Sequence, residues 1–312
     1  MTPSNSNSLL AVLFINITVV GYVVHDALVK VATKTFSVFQ IALFENVGIL
    51  SLLLLVFLPI KGRAFFRTNR LGLQLLRALF FLISMFLFAT ALKHLLLADA
   101  VALVLVYPLL VTALSAPMLG ERVGPRRWAA VAVGFVGVLI IVRPGLSVIH
   151  WASFLALAAA VMNALIQITT RKLGETEDNF TTMFYAALIG TTGSLIAVSV
   201  TPVGTEPFVA MAFSAKIVAT FWPSDPWFFV LLAALTLTTF IVAFTIFKAY
   251  QLATASFLAP FTYTDMVWAI IFGFLFFGEW PDNWTIVGSV ILIAAGLYVV
   301  YREQDVANDA SR

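Results

Sequence analysis

The chain has no cysteine among its 312 residues, which excludes a disulfide, a thiolate metal site and a thiol nucleophile. Histidine is nearly as scarce. His25, His94 and His150 stand far apart, so no histidine-based metal centre is expected and no cofactor is called for. The glycine-lysine loop that cradles a nucleotide's phosphates is missing as well. Charged residues make up only 11% of the chain, against roughly 25% in soluble domains, while 62% are hydrophobic and the mean hydropathy is +1.03. Such a chain is expected to live in a membrane. Its apolar runs show no two-residue alternation, so helices rather than a barrel must satisfy the backbone in lipid. The net charge of +3 reads as membrane topology rather than as affinity for nucleic acid.

The first eight residues carry no basic stretch and no cleavage site, so the first apolar run is expected to be retained. Runs near the roughly 20 residues a bilayer needs then follow one another. They cover residues 9–29, 38–58, 71–92, 98–119, 128–142, 151–170, 180–200, 227–249, 254–277 and 284–301. The expected fold is an all-α integral membrane protein with ten transmembrane helices. Residues 201–226, with four prolines, break the series, and PFVAMAFSAKIVATFW within them is expected as a short interfacial helix. Pro108 and Pro260 are expected to kink the fourth and ninth spans. The terminal REQDVANDASR is expected to be disordered.

Two polar hinges give the chain its plan: GERVGPRR after the fourth run and GEWPDNW after the ninth. Gly120-Glu121 and Gly278-Glu279 lie 278 minus 120, or 158, residues apart, about half the chain. Residues 1–145 and 146–302 are therefore read as two repeats of five spans, with 303–312 as a cytoplasmic tail. An odd number of spans per repeat turns the second upside down. Basic residues agree with a cytoplasmic N-terminus in an inner (plasma) membrane. The inner loops then hold Lys61, Arg63, Arg67, Arg70, Arg122, Arg126, Arg127, Arg171 and Lys172, and the outer side holds Lys30, Lys34, Lys93, Arg143 and Lys216. Inverted repeats let the two faces exchange conformations, which is the geometry of alternating access. One chain supplies both halves of the inverted pair, so a monomer suffices and a dimer stays open.

Several segments carry a family resemblance across almost the whole chain. They are DALVKVATK, FQIALFE, LRALFFLISMFLFATALKHLLLADA, LGERVGPRRW and GFVGVLIIVRPG in the first half, with NALIQITTRKL, ATASFLAPF, FGEWP and GLYVVYRE as looser echoes in the second. Together they resemble the EamA branch of the drug/metabolite transporter superfamily. The resemblance implies a ten-helix inverted-repeat carrier with a central cavity and both termini cytoplasmic, moving a small organic solute. Glu45 and Tyr107 stand where members often carry an arginine and a small residue.

Ionisable groups inside spans are costly and usually face a cavity or a partner. Asp265, near the middle of the ninth span, is the foremost candidate for binding a substrate cation or a coupling proton; the alternative is a carboxyl neutralised by burial or paired with a basic residue. Asp26 and Glu45 lie in the outer thirds of their spans, where pairing with Lys30 or Lys34 competes with a functional role. Arg77 reads first as a snorkelling anchor near the cytoplasmic end of span three and second as a reader of a substrate carboxylate. Lys248 reads as a snorkelling anchor too. Asn163 and Gln167, four apart, share a helix face and either join helices or line the cavity. Tyr107, Tyr263 and Trp268 lie near mid-span, and the last two flank Asp265, where rings would add a cation-π attraction. Tyr185 lies within span seven. His25 beside Asp26 reads as a hydrogen-bonded residue before a proton relay. Glycines at 134, 137, 288 and 296 permit close packing of spans five and ten.

These residues point to a secondary transporter that moves a small polar metabolite, first an amino acid or related zwitterion or cation, driven by a proton or exchange gradient. The alternative is uptake of a cofactor-like solute such as riboflavin or S-adenosylmethionine. A membrane enzyme or lipid flippase lacks the cluster of reactive side chains it would need at one membrane face.

Overall fold

A computed structural model describes residues 5–34, 36–62, 66–120, 124–143, 151–173, 177, 179–200, 226–253, 258 and 261–310. The described residues form helices and no strand. The helices are α1 (Asn5–Ala32), α2 (Val38–Lys61), α3 (Leu71–His94), α4 (Leu97–Val104), α5 (Tyr107–Leu119) and α6 (Pro125–Val142) in the first half. The second half holds α7 (Trp151–Leu173), α8 (Asn179–Val200), α9 (Pro226–Leu252), α10 (Asp265–Phe277) and α11 (Asn283–Ala310). Eight segments are long and apolar enough to cross a membrane, among them α4 with α5 taken together, and Asp265–Phe277 and Asn283–Val299 are shorter apolar helices. The proposed interfacial helix, the hinge residue Glu121 and His150 lie outside the described residues.

The two spans expected to kink are interrupted. In the fourth, Leu105 and Val106 form a tightened turn, with Val106 donating to Leu103 at 3.4 Å. Pro108 explains this break, since it cannot donate and its ring crowds the carbonyl four residues back. In the ninth, Tyr263 and Thr264 form the same kind of turn, and Met266 donates to Tyr263 at 3.4 Å. The Thr264 hydroxyl caps the Phe261 carbonyl at 2.6 Å. Pro260, expected to kink this span, is not among the described residues.

The half-helices that follow the breaks match in length: α5 and α10 each hold 13 residues and end on glycines, Gly120 at φ 71° and Gly278 at φ 65°. A left-handed C-cap satisfies the last carbonyls, and glycine adopts it without a Cβ clash. At the second hinge, Glu279 donates to Gly273 and Gly278 to Phe274, both at 3.0 Å. The Gly-Glu pairs seen in the sequence are thus helix stops. Start, stop and interruption all recur at one spacing, which makes the internal repeat a structural fact.

Packing follows the same plan. α1 lies along α9 as α3 lies along α7, α2 pairs with α8, and α6 pairs with α11. α4 sits at the centre, with Leu97, Ala100 and Ala102 fully buried in the main apolar core, to which α1, α3, α7, α9, α10 and α11 also contribute. Of the glycines expected to bring spans five and ten together, Gly137 and Gly288 do so, whereas Gly134 faces Leu109 and Gly296 faces Tyr263. A methyl on Gly137 would lie 2.7 Å from the Gly288 carbonyl oxygen, and one on Gly288 2.6 Å from that of Gly137. The tail differs from expectation, because α11 continues to Ala310. Residues 297–310 contain neither glycine nor proline, and extending an existing helix is far cheaper than nucleating one.

Candidate functional site

His25 and Asp26 of α1, Glu45 of α2 and Thr239 of α9 converge inside the bundle. His25 Nε2 lies 2.9 Å from Glu45 Oε1, and its Nδ1 lies 3.6 Å from Asp26 Oδ1. Thr239 donates its hydroxyl to the same Glu45 oxygen at 2.9 Å. The other Glu45 oxygen is buried without a hydrogen-bond partner. The alternative pairing of Asp26 and Glu45 with Lys30 or Lys34 is not what forms. Lys30, one turn further along α1, turns to Glu279, and Lys34 lies beyond the end of α1 with its ammonium 5.3 Å from the centre of the Phe277 ring. Thr239 carries no distinguishing signal in TLTTF and was not legible as a partner. His25, read first as a hydrogen-bonded residue, is the centre of this cluster.

Asp265 stands at the first turn of α10, where the interrupted ninth span restarts, rather than in mid-helix. α1 packs on α10, and Asp26 lies within electrostatic range of Asp265. Asp265 Oδ1 is buried with no hydrogen-bond partner. Tyr263 departs from its expected role beside this carboxyl. Its side chain is buried against α11, the hydroxyl has no hydrogen-bond partner, and a methyl on Gly296 would overlap it. Trp268 leans on Phe272 with ring centres 5.8 Å apart, and Tyr107 packs partly buried against the main core at the start of α5.

The other candidates separate. Asn163 accepts from Ser84 of α3 at 3.2 Å, whereas Gln167 is exposed, so the two amides do not act as a pair. Tyr185 donates to the Phe66 carbonyl at 3.0 Å and ties α8 to the α2–α3 link. Lys248 lies 5.9 Å from the Phe244 ring centre on its own helix. Arg77 reaches across to the last turn of α7. Its Nε donates to Thr170 of α7 at 2.6 Å, and Tyr22 of α1 lies within electrostatic range.

Each end of the bundle is tied by polar contacts. At one end, Lys30 donates to both Glu279 oxygens at 2.6 and 2.7 Å and to the Leu95 carbonyl at 2.7 Å, while Glu279 also accepts from the Leu97 amide at 2.9 Å. Nearby, Arg143 pairs with Asp282. Desolvation opposes ionisation of Asp282, but hydrogen bonds from the Thr285 amide and Arg143 outweigh it and hold the carboxyl below its ordinary range. At the other end, Glu177 accepts from the Asn69 amide at 2.8 Å and Arg70 donates to the Lys172 carbonyl at 2.9 Å.

Membrane-crossing helices, an internal repeat, two interrupted spans and ionisable groups buried between them define a multi-pass membrane transporter. The EamA-like transporter family model matches residues 9–143 and again 150–302, and the chain belongs to that family. Among curated relatives, the S-adenosylmethionine uptake transporter of Rickettsia bellii is 25% identical over 90% of this chain and 89% of its own. The riboflavin transporter of Rhizobium johnstonii is 28% identical over 84% and 81%, and the pseudopaline exporter of Pseudomonas aeruginosa is 28% identical over 87% and 89%. A solved crystal structure aligns over 94% of this chain and 95% of its own at 16% identity with a TM-score of 0.57, a likeness of fold.

Proposed function

We propose that this transporter is a secondary carrier for a cofactor-sized metabolite of the S-adenosylmethionine or riboflavin class. The observation that carries the reading is the bundle centre, where the interrupted ninth span presents Asp265 towards the α1 face that holds Asp26 and His25. Interrupted helices free backbone and side-chain groups for a ligand at mid-membrane. The named functions of the S-adenosylmethionine and riboflavin relatives favour such solutes over the free amino acid put first from sequence.

The matched breaks and stops, together with the packing of α1 on α9 and α3 on α7, support residues 1–145 and 146–302 as two inverted five-span repeats that exchange access between the faces. The excess of loop arginines and lysines on one side supports an inner-membrane carrier with both ends in the cytoplasm. A single chain holds the complete pair. The hydrogen bond between His25 and Glu45 is the place for a coupling proton.

The test is counterflow in proteoliposomes preloaded in turn with S-adenosylmethionine, riboflavin and a mixture of amino acids. Accumulation of labelled S-adenosylmethionine or riboflavin above protein-free vesicles is expected. Accumulation of amino acids alone would overturn the assignment.

A further inference from the structure

Arg77 of α3 and Asp265 of α10, charges of opposite sign between the helices, are not paired with one another. Arg77 makes its one strong contact to the neutral hydroxyl of Thr170, and among the described residues no carboxylate pairs with its guanidinium. Asp265 has a buried oxygen without a partner, and so does Glu45, whose residue is only 4% exposed. Lys30, the nearest cation on α1, is taken up by Glu279 and Leu95. The interior therefore holds an acidic pole and a basic pole, each lacking a charged partner of the opposite sign apart from the contact of His25 with the acids.

Helix α1 packs against both α3, which carries Arg77, and α10, which carries Asp265. Tyr22, the residue within electrostatic range of Arg77, and Asp26, the residue within range of Asp265, are four apart and so lie on one face of the helix. A carboxylate at Arg77 and a cationic centre at Asp265 would satisfy both. A flavin, which carries neither charge, would leave both unmet.

We infer that the site binds its substrate as a dipole, with Arg77 taking a carboxylate and the Asp26–Asp265 end taking a cationic group, so that the substrate is a zwitterion. This rests on the carrier reading above and narrows it to S-adenosylmethionine-like solutes. The guanidinium can meet a carboxylate through two parallel hydrogen bonds, which an ammonium cannot reproduce.

Uptake of S-adenosylmethionine, its decarboxylated analogue and riboflavin is measured in proteoliposomes holding the wild type, Arg77→Gln or Arg77→Lys, each reconstituted from monodisperse protein. The wild type is expected to prefer S-adenosylmethionine over the decarboxylated compound by at least about tenfold, in line with a charge-assisted contact of about 1.5–3 kcal/mol. Arg77→Gln is expected to bring the two within about twofold by slowing only the carboxylated one, and Arg77→Lys to keep part of the preference. Equal uptake of both by the wild type, or an equal fall for both in Arg77→Gln while Arg77→Lys behaves as wild type, overturns the dipole. Uptake of riboflavin alone overturns the dipole and leaves the carrier reading standing. Uptake of none of the three overturns both.

Discussion

Removing Glu279 leaves the Lys30 ammonium buried, with 9% of its side chain exposed and only the Leu95 carbonyl to receive it. Breaking a buried ion pair from one side typically costs about 3–5 kcal/mol. Glu279 keeps 20% of its side chain exposed, so some water reaches the pair, and the lower end, about 3 kcal/mol, is the expected cost of Glu279→Leu. Lys30→Met leaves a better-served group behind. The stranded carboxylate still accepts from the Leu97 amide at 2.9 Å and meets solvent, which places the cost nearer about 2 kcal/mol. The double variant removes both charges and should cost less than the two single changes added together, with a coupling of about 2 kcal/mol. Reversible unfolding in mixed detergent micelles measures all four proteins. Additivity within about 0.5 kcal/mol, or Lys30→Met proving worse than Glu279→Leu, would refute the reasoning.

Gly288→Ala should destabilise by about 1–3 kcal/mol, because the new methyl meets the Gly137 carbonyl at 2.6 Å and neither helix backbone can yield easily; an unchanged unfolding midpoint would show that α6 and α11 do not approach so closely. Glu45→Gln removes the carboxylate that His25 contacts and is expected to abolish uptake driven by a pH gradient while sparing counterflow, and pH-driven uptake at the wild-type rate would end the coupling role of this pair. Desolvation opposes ionisation of Glu177, but the Asn69 amide and its other hydrogen bonds win and lower its pKa below the ordinary 4.5. A lowered acid stabilises the fold above its unfolded value and loses that contribution as pH falls through its folded value, so the tie between the α2–α3 link and residue 177 should loosen only below about pH 4.5. Proteolysis of the α2–α3 link across pH 3 to 7 tests the last point, and Glu177→Gln should remove the dependence.

What could be read from the sequence is what local chemistry decides. Gly120 and Gly278 announce helix stops because a left-handed cap favours glycine, which has no Cβ to clash, and the spacing between them exposes the repeat before any contact is known. Glycines 137 and 288 announce a close crossing for a similar reason: lacking a Cβ is a property of the residue itself. Partnership is different. Lys30 and Glu279 are separated by 249 positions, and the sign of a charge does not say which opposite charge it will meet. Arg77 shows the same limit from another side, since its place on α3 does not announce the Thr170 hydroxyl of α7 that accepts from its Nε. Asp265 shows it again, because only the break at Tyr263 and Thr264, where none of the described residues is a proline, moves it from mid-helix to the start of α10. The helices, their stops and their crossings follow from single residues in order. The site follows from which helices face one another, and the repeat decides that by setting α1 against α9 and α3 against α7. The charges of both halves are thereby turned to one interior, and a ligand that bridges Arg77 and Asp265 would touch an element from each.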